Sequence, residues 1–270
     1  MNTKTLIDLG TIQETLLITL WARAEEFKRS DSIISDRHSA EIISAIDYDF
    51  TRLNPSNSTQ VSCCLRGWLM DNWVKDYLER YPFGVVVELG AGLDTRFERL
   101  DNGTVRWFDL DLPDTIALRQ QFFTETERRK FITASALDTD WCDLVKEVAS
   151  GQPCLFITEG VLMYLAEEQV KQLFANLLQH FSGSQLAFDS MSPFLTKREA
   201  PLKNMSARFN WGIADIKEIE AWNSSYKLLE VKSYWNAPEQ YLRRFSWFNR
   251  LFFSLPWFRN SYRLALVNFV

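Results

Sequence analysis

Histidine and cysteine are scarce: His38 and His180, and Cys63, Cys64, Cys142 and Cys154, are all that the 270 residues contain, and no two cysteines form a CxxC pair. Zinc-binding spacings are therefore missing, and no metal site is expected. Adjacent Cys63 and Cys64 read as buried spacers rather than a redox pair. No window reaches the roughly 18 uninterrupted apolar residues of a spanning helix, and no basic segment precedes an apolar run near Met1. A cytoplasmic protein with free thiols and no transmembrane segment is the expectation. Positive charge is also in deficit, with 30 Lys and Arg against 35 Asp and Glu, a net charge of −5. That gives no general attraction to nucleic acid, so small molecules are the expected partners.

What is present suits a dense core: 46% of residues are apolar and 14% aromatic. Residues 1–270 read as a single domain in three parts. Residues 1–80 carry helical spacing at Ile12 to Lys28, His38 to Ile46 and Ser62 to Arg80, with the polar stretch NPSNSTQ, Asn54 to Gln60, as a hinge. Residues 81–193 alternate short β-rich runs (VVVEL, VRWFDLD, KFITASA, CLFITEG, QLAFDS) with helical segments, Glu167 to Phe181 being the clearest. Such alternation predicts an α/β fold with a mostly parallel sheet. Residues 194–270 hold a polar insertion, a helix near Asp215 to Trp222, and strands at Tyr226 to Trp235 and Tyr262 to Phe269. These two bring the strand count to seven and form an antiparallel C-terminal edge.

The stretch VVVELGAGLDTRFERLDNGTVRWFDLDLPD, Val85 to Asp114, carries the chemistry. A strand that enters Gly90-Ala91-Gly92 and then a helix lays bare backbone at the carboxyl end of the sheet, where open α/β folds bind ligands. A dinucleotide fingerprint needs a third glycine where Thr95 stands. Glu88 and Asp94 flank the turn, which disfavours a diphosphate and suits a ligand with positive charge. S-adenosylmethionine combines a sulfonium and an ammonium with a nucleoside. About 20 residues on, Asp109 and Asp111 end the next strand on one face, and either can accept both ribose hydroxyls. Asp94 also reads as a helix-capping acid.

ELGAGLDTR, DLDLP, ITEGVLMYL and RSDSIISDRHSAEII together resemble the leucine carboxyl methyltransferase family, and especially its bacterial branch of polyketide O-methyltransferases; the likeness spans roughly Trp21 to Pro193. The resemblance implies a doubly wound sheet, a helical cap formed by the N-terminal helices and the insertion, and an S-adenosylmethionine-dependent methyltransferase that yields S-adenosylhomocysteine. It places Arg66 of CCLRG on the cofactor's carboxylate, Gly90 beside its methionine part, and Asp111 on its ribose, with Gly92 of the same turn a further cofactor-binding candidate. It also places Ser135, Ala136 and Asp138 of TASALD on the adenine side, and Glu159 at the methionine end. Arg96, Asp31, Asp36 and the DSIISD stretch read as bracing or capping elements. Family members that methylate a protein phosphatase's C-terminal leucine carry an arginine where Leu137 stands, so a protein tail is not the expected acceptor.

Methyl transfer from a sulfonium is an in-line displacement that rewards alignment and exclusion of water. A carboxylate acceptor, with a pKa of about 4, arrives ionised, whereas a phenol near about 10 needs a base. His38 is the one candidate base in the cap, and Tyr164 a candidate acceptor-positioning phenol. The scarcity of bases favours a carboxylate; the expected acceptor is a carboxylate or hydroxyl of a polyketide-like metabolite, free or bound to a carrier protein, with Leu137, Met163, Met191 and Phe194 as pocket walls. The alternatives are a nicotinamide (NAD)-dependent oxidoreductase and a non-catalytic cofactor-binding interaction protein. Glu239 to Arg263 carries nine aromatic residues and five arginines, with Tyr241, Phe245, Phe248, Phe252 and Leu255 on one helical face. It reads as a helix packed on the sheet edge or at a homodimer contact, with membrane or carrier-protein binding as the other reading.

Overall fold

A computed structural model describes residues 5–6, 14–52, 56–197 and 208–270. Seven strands form the sheet: β1 Val85–Leu89, β2 Arg106–Asp111, β3 Arg129–Thr133, β4 Cys154–Thr158, β5 Gln185–Met191, β6 Tyr226–Lys232 and β7 Tyr262–Phe269. Their order is β3-β2-β1-β4-β5-β7-β6, with the first five parallel and β7 running antiparallel between β5 and β6. Strand order reverses between β1 and β4, which puts a ligand crevice at their carboxyl ends.

The runs read as strands bury both faces. All five residues of β1 and of β4 are buried, as a central parallel strand requires. Period-two alternation sorts them into two layers. Val85, Val87 and Phe156 pack with Phe174 and Phe188 on one side, while Val86, Leu155 and Ile157 pack with Trp73, Val74 and Tyr77 on the other. The latter three belong to α3 (Asn57–Arg80), which follows α1 (Glu14–Phe27) and α2 (Arg37–Ala45).

Helix ends differ from the expected ones where a cap decides them. Ser56 accepts the Thr59 amide at 3.1 Å, so α3 starts at Asn57 and absorbs Asn57 to Gln60 of the expected hinge. Asn54 and Pro55 of that stretch, and Ile12 at the expected start of α1, lie outside the described residues. Asp36 caps α2 by accepting the Ser39 amide at 3.0 Å. The helix expected from Asp215 covers only Glu218–Trp222. The aromatic stretch is not one helix either. Ser246 caps a new helix and Pro256 begins another, giving Glu239–Leu242, Trp247–Ser254 and Pro256–Arg259. Phe245 is thereby buried and Phe248 exposed, so the expected single face does not form. Part of the polar insertion, residues 198–207, lies outside the described residues.

Candidate functional site

At the end of β1 the chain turns through Gly90, φ +81°, and Gly92, φ +51°. Both angles lie in the left-handed region that side chains disfavour. A Cβ on Gly90 would sit 2.5 Å from Cγ2 of Val161, so the turn and the loop after β4 interlock only because Gly90 is bare. Arg119 fixes the turn from beneath, donating to the carbonyls of Gly92 at 2.8 Å and Asp94 at 2.9 Å. The turn opens on a cavity of about 410 Å³ walled by α1, α3 and the carboxyl ends of β1, β2 and β4. That volume suits a small-molecule site.

Asp111 is held at the rim. Its Oδ2 accepts the Gly92 amide and its Oδ1 the Leu112 amide, both at 2.7 Å, which leaves lone pairs free toward the cavity. Burial raises its pKa against those two amides. Asp109, two residues earlier, is fully buried and does not line the cavity. It forms ion pairs with Arg129 at 2.6 Å and Arg119 at 3.0 Å. Of the two carboxylates that alternation leaves open, Asp111 lines the cavity and Asp109 does not.

Two arginines organise the end of the cavity near Glu159. Arg96 donates to Asp71 at 2.7 Å, Glu88 at 2.7 Å, Asp94 at 2.9 Å and Glu159 at 2.6 Å, so it braces the site from within the wall. Arg66 donates through Nε to Glu159 at 2.7 Å and through Nη1 to Asp189 at 3.1 Å and Tyr262 at 2.8 Å. Its Nη2, beside Gly160, makes no hydrogen bond among the described residues. Burial, aided by the Asp94 carboxylate, pushes Glu88 up to about 8, and its Oε2 has no partner among the described residues. Burial opposes the charge on Asp94, yet Arg96 and three further guanidiniums hold its carboxyl well below the usual range. The cavity wall carries the carboxyls of Glu88, Asp94, Asp111 and Glu159 beside Arg23, Arg66 and Arg96; with Glu88 protonated below about pH 8 the ionised groups balance, which suits a zwitterionic ligand.

The expected residues divide. Arg66, Glu88, Gly90, Gly92, Asp111, Ser135, Ala136, Glu159, Leu137, Met163, Met191 and Tyr164 share the cavity wall. Asp138 does not; its carboxylate accepts the Ser135 amide at 3.0 Å and shapes the loop after β3. Phe194 is 46% exposed and away from the wall, where Phe209 stands with its ring 5.5 Å from that of Tyr164. His38 is also absent from the wall: its ring packs 5.1 Å from Phe123, and Nδ1 lies 3.4 Å from Glu41. Burial raises the Tyr164 phenol, which is hydrogen-bonded to Thr15. Sequence reasoning missed Arg23, Arg119, Asp189 and Tyr262. Only Arg23 gave a signal, as a charged residue on the apolar face of α1, where it reaches Asp36 at 3.0 Å.

A family model described as leucine carboxyl methyltransferase matches residues 16–178. The chain is 31% identical over 236 residues to the tetracenomycin polyketide synthesis O-methyltransferase TcmP of Streptomyces glaucescens, covering 86% of each protein. It is 32% identical over 236 residues to the S-adenosyl-L-methionine-dependent methyltransferase dpfgK of Gibberella zeae, covering 79% of each. Among solved structures, geranyl diphosphate methyltransferase in complex with GPP and sinefungin aligns with a TM-score of 0.50 at 13% identity, over 75% of this chain and 78% of that one. The last is a likeness of fold alone.

Proposed function

The chain belongs to the leucine carboxyl methyltransferase family and is an S-adenosylmethionine-dependent methyltransferase; from that premise we propose that it methylates an oxygen, carboxylate or hydroxyl, of a small, largely apolar, polyketide-like acceptor. The observation that carries the cofactor part is one cavity with Asp111 held on the Gly92 amide, the bare turn at Gly90 and the open Nη2 of Arg66. In this reading Asp111 accepts the ribose hydroxyls and Arg66 holds the carboxylate through its remaining N–H groups. Ser135 to Leu137 flank the adenine, with Leu112 as an apolar shelf that the sequence did not suggest. Glu88 and Asp94 face the cationic end. The family removes the nicotinamide alternative.

When bound, the cofactor supplies a methyl group on a sulfonium. The chain contributes alignment and exclusion of water, the two requirements of an in-line displacement. Leu16, Ile18, Val161, Met163, Met191 and Phe209 give the remaining wall an apolar lining, and no histidine is among the described wall residues. Tyr164, with its phenol kept protonated by burial, can donate a hydrogen bond that orients an acceptor oxygen. The name of the Streptomyces relative supports a polyketide-like acceptor. Incubation with labelled cofactor and a panel of apolar acids, phenols and amines tests the proposal. Methyl esters or ethers are expected; turnover confined to amines overturns it.

A further inference from the structure

The aromatic helix Trp247–Ser254 turns one face outward. Trp247, Phe248 and Leu251 are 70%, 65% and 62% exposed, and Phe252 and Leu255 continue the same face at i+4 spacing. Single exposed apolar residues are ordinary, but five on one helical face mark an interaction surface. Residues 239–263 also carry five arginines; Arg243 and Arg250 pair with Glu239 and Arg244 with Glu26, which leaves Arg259 and Arg263 without an ion pair among the described residues.

A second feature adjoins this face. At the carboxyl end of β6 lies a depression of about 410 Å³ lined by Lys232, Ser233, Asn236, Arg259, Asn260 and Arg263 among others, with three cations and no carboxylate in its wall. Arg263 is 8% exposed and donates through Nη2 to the carbonyls of Ile213 and Ala214 at 3.1 and 2.7 Å, and no carboxylate is bonded to it among the described residues. Arg259 has no ion pair among the described residues, and Lys232 reaches Glu230 outside the depression at 3.1 Å. Ser254, in the last turn of the aromatic helix, lines the same depression. A basic recess with hydroxyl and amide donors is built for a phosphate-like anion.

We propose that this edge of the sheet docks the enzyme on an anionic lipid bilayer, the aromatic helix lying in the headgroup layer and the recess taking a lipid phosphate. Charge complementarity selects this occupant. A two-fold contact with a second copy would set two arginine-rich segments against each other. At 62–70% exposure Trp247, Phe248 and Leu251 protrude rather than line a groove, which suits a fluid interface. No helix among the described residues is long and apolar enough to cross a membrane, so the association is peripheral. Because β6 runs parallel to β5, the recess and the cofactor cavity lie at the same end of the sheet.

Sedimentation of the full chain with vesicles of phosphatidylcholine, alone or mixed with phosphatidylglycerol, tests the proposal. The chain should pellet with the mixed vesicles and be released by salt. Arg259→Glu removes two units of positive charge and should weaken binding to the mixed vesicles about 30-fold, at about 1 kcal/mol per charge. Trp247→Ser with Leu251→Ser should weaken it at least about tenfold. Unchanged affinity for S-adenosylhomocysteine shows that each variant is folded. Absence of pelleting, equal binding to neutral vesicles, or binding insensitive to both variants overturns the proposal. So does a concentration-dependent dimer abolished by Leu251→Ser, or a recess that binds inorganic phosphate in a chain that binds no vesicles.

Discussion

Glu159 takes Arg66 on one carboxylate oxygen and Arg96 on the other, which fixes the plane of the Arg66 fork and leaves Nη2 toward the cavity. Arg66→Lys keeps the charge and loses the fork. Calorimetry with S-adenosylhomocysteine should show affinity lower by about 10- to 100-fold, the scale of one or two charge-assisted hydrogen bonds; wild-type affinity would refute the carboxylate role. Glu88 supplies a pH dependence. Its pKa in the fold, about 8, lies above the usual 4.5, so the protonated form favours folding. That stabilisation is complete below about pH 4.5 and disappears as pH rises through about 8. The melting temperature of wild type should decline between about pH 5 and 8 and level off above that, and Glu88→Gln should flatten the decline; an equally steep decline in the variant would show that another group titrates. The types of these residues were legible in the sequence, but their partners were not. Nothing local separates Asp109 from Asp111, because the guanidiniums that seal Asp109 lie 10 and 20 residues downstream, on Arg119 and Arg129.

At the scale of elements, strands were read to within a few residues because burial on both faces of β1 and β4 leaves apolar runs interrupted only by Glu88 and Thr158. Helix limits were harder. The starts at Asn57 and Trp247 are set by the hydroxyls of Ser56 and Ser246, and a serine in a polar stretch looks the same in a loop. The glycine turn was legible as a turn, whereas its interlock with the loop after β4 was not. That interlock gives the prediction for the element. Gly90→Ala places a methyl group in the left-handed region, at about 1 kcal/mol, and against Val161. Cofactor affinity should fall more than about tenfold and the melting temperature should drop. Adding Val161→Ala should restore part of the affinity by making room for the new Cβ. A double variant no better than the single would mean that backbone strain alone, and not the interlock, sets the position of the turn.

For the whole molecule, the cavity wall draws on α1, α3, β1, β2 and β4, segments far apart in the sequence that meet only in the folded chain. Such a site does not exist in the unfolded state, so a ligand that fits it stabilises the entire fold. At a free concentration about 100 times its dissociation constant, S-adenosylhomocysteine should add about 2.7 kcal/mol. In a domain of this size that raises the melting temperature by about 5–10 °C. NAD at the same concentration should produce no shift, because Thr95 stands where a pyrophosphate turn needs glycine and Asp94 flanks that turn. Asp111→Asn should reduce the shift given by S-adenosylhomocysteine while leaving the melting temperature without ligand close to that of wild type, since the asparagine carbonyl still accepts one of the two backbone amides now bound. Equal shifts from both ligands would mean that the cavity recognises a nucleoside alone, and that the carboxyl groups around Arg96 serve the fold rather than the sulfonium and ammonium charges.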